Sequence, residues 1–447
     1  MKNPFFLFLF LALSVQGVLG QSELVTPFFD DVFQATYLNP AVRPKHPVSI
    51  GLPAISSIYL QVSHNGFVPG KVISHRNDTL RISPDKLLNE LSRQNMLFVN
   101  ADLDLFHLRI KVYNWDYWFG IRQRHSMSLF YPKDLLRLPI EGNADMVGKS
   151  FDFGYLGLNA MAFREYTFGA ATEVDDWIFG GRLSILQGLS SMYLKPEKLK
   201  ISVIDDMFQH AFAADAVLYS AGIPFDDDID GNWITDYMTR FRNPGLALSW
   251  GASYRFDHRL NFNFAVTDLG YIRWNDNTRN FSLEGNATFD GHDFLSNLLD
   301  DEEIDPDEII DDFLDNFSDD EFEEDYVTWL HPRFAVTTTY RVADKTQLAL
   351  QLYTVVNRRL YPAVTVAATQ EIGRYLQVAV TASANQKSFS NLGFGLMLKP
   401  GPLQIYMMAD NYYAPLVDPL SFTNLNFRFG VNFVFGHVKT QQALPYR

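Results

Sequence analysis

The residues best suited to chemistry are the carboxylates of an acidic stretch in the middle of the chain. Carboxylates at alternate positions converge on a hard cation, and Gly231 permits the sharp turn that a calcium loop requires. Tyr237 stands where such a loop carries its twelfth-position glutamate. The pattern predicts either a calcium site or a solvated acidic loop. The candidate calcium ligands are Asp226, Asp228, Asp230 and Asp236.

A second acidic segment, residues 300–325, contains 16 aspartates and glutamates and neither lysine nor arginine. It accounts for the formal net charge of -15, so charge arguments concern this segment alone. Binding of a basic partner, binding of divalent cations, capping of a pore mouth and simple solubility are the alternatives. Apolar residues at helical spacing predict a short amphipathic helix there: Ile309, Ile310, Phe313, Leu314 and Phe317. The candidate partner-binding carboxylates are Asp311, Asp312, Asp315, Asp319 and Asp320.

The sequence carries no signature of an enzyme. Its 10 histidines include no pair at metal-ligand spacing, and it has no nucleophile elbow or glycine-rich phosphate loop. His107 and His125 are expected to face a polar interior. The absence of cysteine excludes a lipoprotein anchor, a disulfide scaffold and thiolate metal sites. We therefore expect no enzymatic activity, no cofactor besides the calcium ion considered above, and no nucleic-acid partner.

The last strand of the chain has one apolar face and one polar or small face. Its apolar face is formed by Phe427, Phe429, Val431, Phe433 and Phe435. Roughly 14 segments repeat this two-residue period, most of them near the ~9–11 residues that a tilted strand needs to cross a membrane. The pattern predicts an all-β fold, an antiparallel transmembrane β-barrel of about 14 strands with an N-terminal plug-like segment and long extracellular loops. An exported soluble β-sandwich that binds a ligand is the alternative, since a second sheet could cover the same face.

The chain divides into four predicted parts. Residues 1–20 have a charged start, an apolar run and a small-residue cleavage site, which indicate a signal peptide. Residues 21–48 lack alternation and are predicted to form the plug. The barrel is predicted over 49–437, with an acidic extracellular insertion at about 275–331, and residues 438–447 are predicted to form a periplasmic tail. An exported barrel of this kind belongs in the outer membrane.

Several short motifs resemble known outer-membrane proteins. Asn39, Pro40 and Ala41 resemble the Asn-Pro-Ala element of the outer-membrane long-chain fatty-acid channel superfamily. Three other stretches resemble an uncharacterised family of exported barrels from gliding and type IX-secreting bacteria, a domain of unknown function. Those stretches are Gly181–Gly188, Asp268–Trp274 and Phe429–Gly436.

The resemblance implies a barrel that holds its N-terminal segment inside, and it implies no catalytic residue. We expect a conduit for small hydrophobic molecules or a membrane platform for a surface or secretion partner. The expected partners are outer-membrane lipid, a hydrophobic small molecule and a basic surface or secretion protein. A soluble sandwich and an outer-membrane enzyme are the competing interpretations.

Overall fold

Antiparallel strands dominate the fold and wind into one closed sheet. The computed structural model describes residues 23–76, 79–142, 147–204, 209–223, 239, 241–289, 317–385, 391–411 and 423–436. Within these residues the strands form one 20-stranded sheet and a two-stranded hairpin. No helix in that described part of the chain is long and apolar enough to cross a membrane.

The strands, in chain order, are β1 (Val48–Gly51), β2 (Ile58–His64), β3 (Ile73–Arg76), β4 (Thr79–Ile82), β5 (Gln94–Val112), β6 (Trp115–Pro132), β7 (Ser150–Asp152), β8 (Gly157–Val174), β9 (Trp177–Ile204), β10 (Gln209–Ala221), β11 (Pro244–Arg255), β12 (Leu260–Trp274), β13 (Asn280–Phe289), β14 (Phe317–Phe322), β15 (Tyr326–Trp329), β16 (Arg333–Ala343), β17 (Thr346–Asn357), β18 (Arg359–Ile372), β19 (Leu376–Asn385), β20 (Asn391–Leu398), β21 (Leu403–Ala409) and β22 (Asn424–Phe435). Two 3-10 turns, Thr26–Phe28 and Phe33–Tyr37, precede the first strand. The helices are α1 (Pro69–Val72), α2 (Pro84–Glu90) and α3 (Asp134–Glu141).

The barrel wall has 14 strands and closes between its first and last members. β1 and β2 together form the first wall strand, which pairs with β22 on one side and β5 on the other. β15 and β16 likewise share one position beside β12. Closure removes the edge strands that lipid does not tolerate. The wall order is β1/β2, β5, β6, β8, β9, β11, β12, β15/β16, β17, β18, β19, β20, β21 and β22.

Residues 52–57 interrupt the first wall strand and bulge out of the sheet. Leu52 and Ile55 are exposed on the bulge, whereas Ser56 is fully buried. The bulge stays attached to its neighbour because the Val431 N–H donates a hydrogen bond to the Ile55 carbonyl. The wall is therefore continuous across the interruption.

β9 continues beyond the wall and carries a smaller sheet. Its first half, up to Gln187, pairs with wall strand β11, whereas its second half, from Ser191, pairs with β10. β13 pairs with β10, and β14 pairs with β13. The sequence of residues 208–220 predicts one of the wall strands, but this stretch is β10 and lies in the added sheet. That prediction was wrong because strand alternation does not reveal which strand is the partner.

Alternation along the strands separates an apolar outer face from a polar inner face. On β22, Phe427, Phe429 and Phe435 are exposed, whereas Arg428 and Asn432 are buried. The same division holds along β11, β17 and β18. An apolar exterior on a closed barrel is the arrangement that lipid requires, and it places the protein in an outer membrane.

The two ends of the barrel differ in the length of their connections. Six short turns lie at one end, here called the turn end, at 113–114, 175–176, 256–259, 344–345, 373–375 and 399–402. The opposite end, here called the loop end, carries most of the long connections and is extracellular by the usual asymmetry of these barrels. The sequence predicts a longer link at 355–362 on the loop end, but the link between β17 and β18 is the single residue Arg358. Its positive φ of 49° allows the chain to reverse there.

Leu350 and Leu360 test the lipid-facing exterior because both are exposed on the outer face at different depths. Leu350 lies near the middle of β17, and Leu360 lies at the loop end of β18. We expect Leu350→Arg to lower the free energy of unfolding in lipid vesicles by about 2–4 kcal/mol and Leu360→Arg by about 0–1 kcal/mol. Urea unfolding followed by tryptophan fluorescence measures both, and equal costs would contradict a bilayer at this surface.

Candidate functional site

The N-terminal residues 23–47, here called the luminal segment, lie inside the barrel. Apolar side chains of this segment contact inward-facing residues on opposite walls. Phe28 packs against Ala349 and Ala367, and Val25 and Phe29 pack into a cluster with Met397 and Tyr406. Tyr37 and Phe33 pack against Trp118 and Ala171 on the other side. Contacts to so many wall strands are available only from the lumen.

Buried polar groups bind the first residues of the luminal segment, Glu23 to Val25, to β22 and to the end of β21. The Asp410 carboxylate accepts hydrogen bonds from the backbone N–H groups of Leu24 and Val25, at 2.7 and 2.9 Å. Arg428 donates to the Glu23 carboxylate at 2.7 Å, and both side chains are 2% exposed. Hydrogen bonds to charged groups are worth roughly 1.5–3 kcal/mol each. They hold the segment to one side of the lumen.

Asn39, Pro40 and Ala41 form a turn that sits against two wall glycines. The Asn39 Oδ1 atom accepts a hydrogen bond from the Ala41 N–H at 2.9 Å. Gly180 of β9 lies under the Pro40 carbonyl, and Gly251 of β11 lies under the Asn39 side chain, where any Cβ would clash. The glycines are cross-strand partners, so they form one flat patch. The motif noticed in the sequence is thus a docking turn.

A cluster of polar side chains lies in the lumen beside Gln34 and Tyr37, near the middle of the luminal segment. Gln34 and the Tyr37 hydroxyl both donate to Asp104, at 2.9 and 3.1 Å. Burial, with Asp104 beside it, holds the pKa of the Tyr37 hydroxyl well above its ordinary value, so the hydroxyl remains a donor.

His107 faces the lumen as predicted, but it is packed rather than available to a solute. Its ring stacks on Phe33 at 3.9 Å, and its Nε2 atom lies 3.1 Å from the Ser49 hydroxyl. Asp104 is 4.0 Å from its Nδ1 atom. Although a serine, a histidine and an aspartate meet here, each is buried under the luminal segment. His125 is exposed on the outer face, so its predicted position was wrong.

A layer of ion pairs crosses the lumen on the loop-end side of the luminal segment. Asp268 accepts hydrogen bonds from Arg124 and Arg182 at 3.0 and 3.1 Å, and Arg122 donates to Glu165 at 2.6 Å. A β-bulge in β12 makes this possible, because the ladder slips by one residue there and Asp268 adopts a φ of 61°. Two stretches noticed only for resemblance, those containing Arg182 and Asp268, therefore meet in one salt bridge.

A cavity of about 230 Å³, here called the lower cavity, lies between the luminal segment and one wall. The segment contributes apolar groups to it, including Phe28, Leu38 and Val42. The wall contributes hydroxyl and amide groups: Asn261, Asn263, Thr267, Thr337, Thr339 and Gln351. Charged side chains from both the segment and the wall also line the space, so its lining is mixed: Glu23, Asp30, Arg43, Arg255, Arg333 and Arg341.

A smaller cavity of about 50 Å³, here called the upper cavity, lies on the loop-end side of the ion-pair layer. Its apolar lining is Phe98, Met161, Phe163, Leu330 and Val355. Asp268, Arg124, His331 and Arg333 supply polar atoms to it. Arg333 also lines the lower cavity. No sequence pattern points to Arg333, because one arginine at the start of a strand matches no motif.

Most of the predicted acidic sites lie outside the described residues. These are the candidate calcium ligands Asp226, Asp228, Asp230 and Asp236 and the carboxylates Asp311, Asp312 and Asp315. The predicted signal peptide 1–20 and tail 438–447 also lie outside the described residues. Calcium and partner binding stay predictions. Asp319 and Asp320 lie on β14, where they pair with Leu283 and Ser282. Phe317 begins that strand, so the predicted helix does not include it.

A family of unknown function, DUF5723, matches residues 40–410. The chain belongs to this family. The origin of this DUF5723 protein in gliding or type IX-secreting bacteria stays a prediction. No curated protein matches its sequence.

Among solved structures, this DUF5723 chain is similar to several outer-membrane barrels. The Ralstonia pickettii toluene transporter TbuX is 8% identical, with a TM-score of 0.46 and coverage of 91% of this chain and 95% of that one. A Pseudomonas aeruginosa FadL homologue is 11% identical, with a TM-score of 0.45 and coverage of 91% and 96%. The translocator domain of the autotransporter NalP from Neisseria meningitidis is 9% identical, with a TM-score of 0.32 and coverage of 88% and 90%.

Gly180 and its neighbour Gly181 provide a matched test of the docking turn. A side chain at Gly180 would clash with Pro40, whereas a side chain at Gly181 would meet no atom within 4 Å. We expect Gly180→Val to lower the free energy of unfolding by about 1–3 kcal/mol through overpacking, and to raise ion conductance in planar bilayers by displacing the turn. Gly181→Val should match the wild type in both measurements. If the two variants behave alike, the turn is not held by this patch.

Asp268 is predicted to hold the ion-pair layer together. Asp268→Ala leaves Arg124 and Arg182 without a shared partner, so we expect a loss of about 3–5 kcal/mol of unfolding free energy. The control is Asp325→Ala, which removes an exposed pair with Arg273 and should cost about 0–1 kcal/mol. Urea titration in vesicles compares them, and a small effect at Asp268 would show that water already screens the layer.

Proposed function

We propose that the protein is an outer-membrane conduit for small hydrophobic molecules, which pass beside the luminal segment rather than through it. The observation that carries this proposal is the lower cavity. It is lined by Asp176 and Arg341 near the turn end and by Arg333 and Tyr353 deep in the lumen. A solute-sized space therefore runs along one wall of the barrel, beside the luminal segment.

The length of the lower cavity suits a passage. Its lining residues on β16 run from Arg341 to Arg333. Eight residues of strand span about 26 Å, which at the usual tilt of about 35–45° covers roughly 18–21 Å of the roughly 25 Å apolar band of an outer-membrane barrel. The mixed lining also suits molecules with an apolar body and some polar atoms, since such sites combine apolar surface with a few polar groups.

The attachments of the luminal segment favour movement past it. Buried hydrogen bonds join it to β21, β22 and the residue after β21: Asp410 accepts from the segment, and Arg428 and Gln404 donate to it. The lower cavity lies on the opposite side, against β11, β12, β16 and β17. A solute can therefore use this side while the fastened side stays closed.

Ala335 and Val336 offer a matched test of this route. Ala335 lines the lower cavity, and Val336, the next residue of β16, is exposed on the outer face. The probe is phenylnaphthylamine, which fluoresces on reaching phospholipid and is excluded by an intact outer membrane. In a Gram-negative host, the wild type should accelerate the fluorescence rise, Ala335→Trp should return it to the rate of cells without the protein, and Val336→Trp should leave it unchanged.

Heat-modified mobility on gels confirms that each variant is folded before uptake is compared. The conduit proposal fails if the wild type does not accelerate uptake. It also fails if a folded Ala335→Trp variant takes up the probe as fast as Val336→Trp, because the filled cavity would then lie off the route.

A second candidate function is a platform for a surface or secretion partner. The observation that favours it is the added sheet, in which β9, β10, β13 and β14 project beyond the wall. β14 carries the exposed carboxylates of Asp320 and Glu321, which suit a basic partner. Removal of residues 280–322 should abolish partner binding while leaving probe uptake intact if the two functions are separate.

A further inference from the structure

We propose that Arg333 is the specificity-determining residue of the conduit, and that the conduit accepts small amphipathic anions, each with an apolar body and one negative group. This inference rests on the proposed function and names its solute class. Among the described residues that line the two cavities, Arg333 is the one they share. A solute that moves between the cavities therefore passes its guanidinium.

Arg333 has hydrogen-bonding capacity that the neighbouring arginines lack. Arg124 and Arg182 donate to Asp268 at 3.0 and 3.1 Å, and Arg122 donates to Glu165 at 2.6 Å. Arg333 comes only to 3.6 Å from Asp268, beyond hydrogen-bond distance. Within the described part of the chain its five N–H donors are thus free to meet an anion, and a guanidinium binds carboxylate, sulfonate or phosphate oxygens in pairs.

Arg333 is the arginine of the ion-pair layer that has no carboxylate oxygen within hydrogen-bond distance among the described residues. The contacts of 4 Å or less in the ion-pair layer join four arginines to three carboxylates. The arginines are Arg122, Arg124, Arg182 and Arg333, and the carboxylates are Asp102, Glu165 and Asp268. Asp268 keeps two close partners if Arg333 turns away from it. On the other side, Glu23 is neutralised by Arg428. An arriving anion can therefore bind Arg333 without leaving a buried carboxylate unpaired.

The surroundings of Arg333 supply the apolar half of the site. In the upper cavity, Phe98, Phe163 and Leu330 can cover an apolar body while the guanidinium meets its charged end. His331 adds a buried Nε2 atom without a hydrogen-bond partner among the described residues. Apolar surface beside an arginine that makes no hydrogen bond within the described residues favours an amphipathic anion over a neutral hydrocarbon and over a hydrated inorganic ion.

The test uses two probes that share one skeleton, phenylnaphthylamine and its sulfonated form, anilinonaphthalenesulfonate. Entry of each into cells with an intact outer membrane is followed by fluorescence. We expect Arg333→Gln to slow entry of the sulfonate by about tenfold, the loss of one charge-assisted hydrogen bond, and to leave entry of the uncharged probe unchanged. Arg333→Lys should retain part of the sulfonate rate, because it keeps the charge but not the paired donors.

Arg273→Gln is the control, since Arg273 is an exposed arginine of the wall, paired with Asp325, that lines neither cavity. It should leave both rates at the wild-type value. Equal slowing of both probes by Arg333→Gln would overturn the inference and make Arg333 a packing residue. An unchanged sulfonate rate would overturn it as well, although the conduit would stand if Ala335→Trp still blocked both probes. A wild type that accelerates neither probe would overturn the conduit itself.

Discussion

The sharing of Asp268 by Arg124 and Arg182 is the contact on which the organisation of the lumen depends. These side chains come from three different wall strands, and each is almost fully buried. Burying charges is costly unless they are closely paired, so the strands can adopt only the register that brings the partners together. The bulge at Asp268 belongs to the same constraint, because a regular strand would not turn both Thr267 and Asp268 toward the lumen.

The lumen is filled unevenly, and the unevenness has a chemical cause. On one side the wall presents groups that bind peptide and charged atoms: Asp410, Arg428, Gln404 and Asp104. On the other side, around the lower cavity, it presents mostly short side chains, and the segment contacts that wall through the docking turn at Gly251 and through Phe28 at Ala349. The lower cavity is the space left between these contacts.

The sequence predicted the barrel because the side chains of each wall strand alternate between apolar residues that face lipid and polar or small residues that face the lumen. It could not distinguish β10 from a wall strand, because the alternation of side chains does not depend on which strand is the partner. The turn at Arg358 was not predicted because it contains no glycine. The docking turn was found through a resemblance. Arg333 was not found from the sequence, because its proposed role depends on two cavities that form only when strands distant in the chain pack together.

The luminal segment also sets an order of events during assembly. Leu24 binds Asp410, 386 positions away, and Glu23 binds Arg428, 405 positions away. Those partners lie in and beside the final two strands, so these hydrogen bonds form only after the end of the chain has been made. Contacts at such sequence separation are among the slowest to form. The first residues of the segment to be synthesised therefore depend on the last strands for their places inside the barrel.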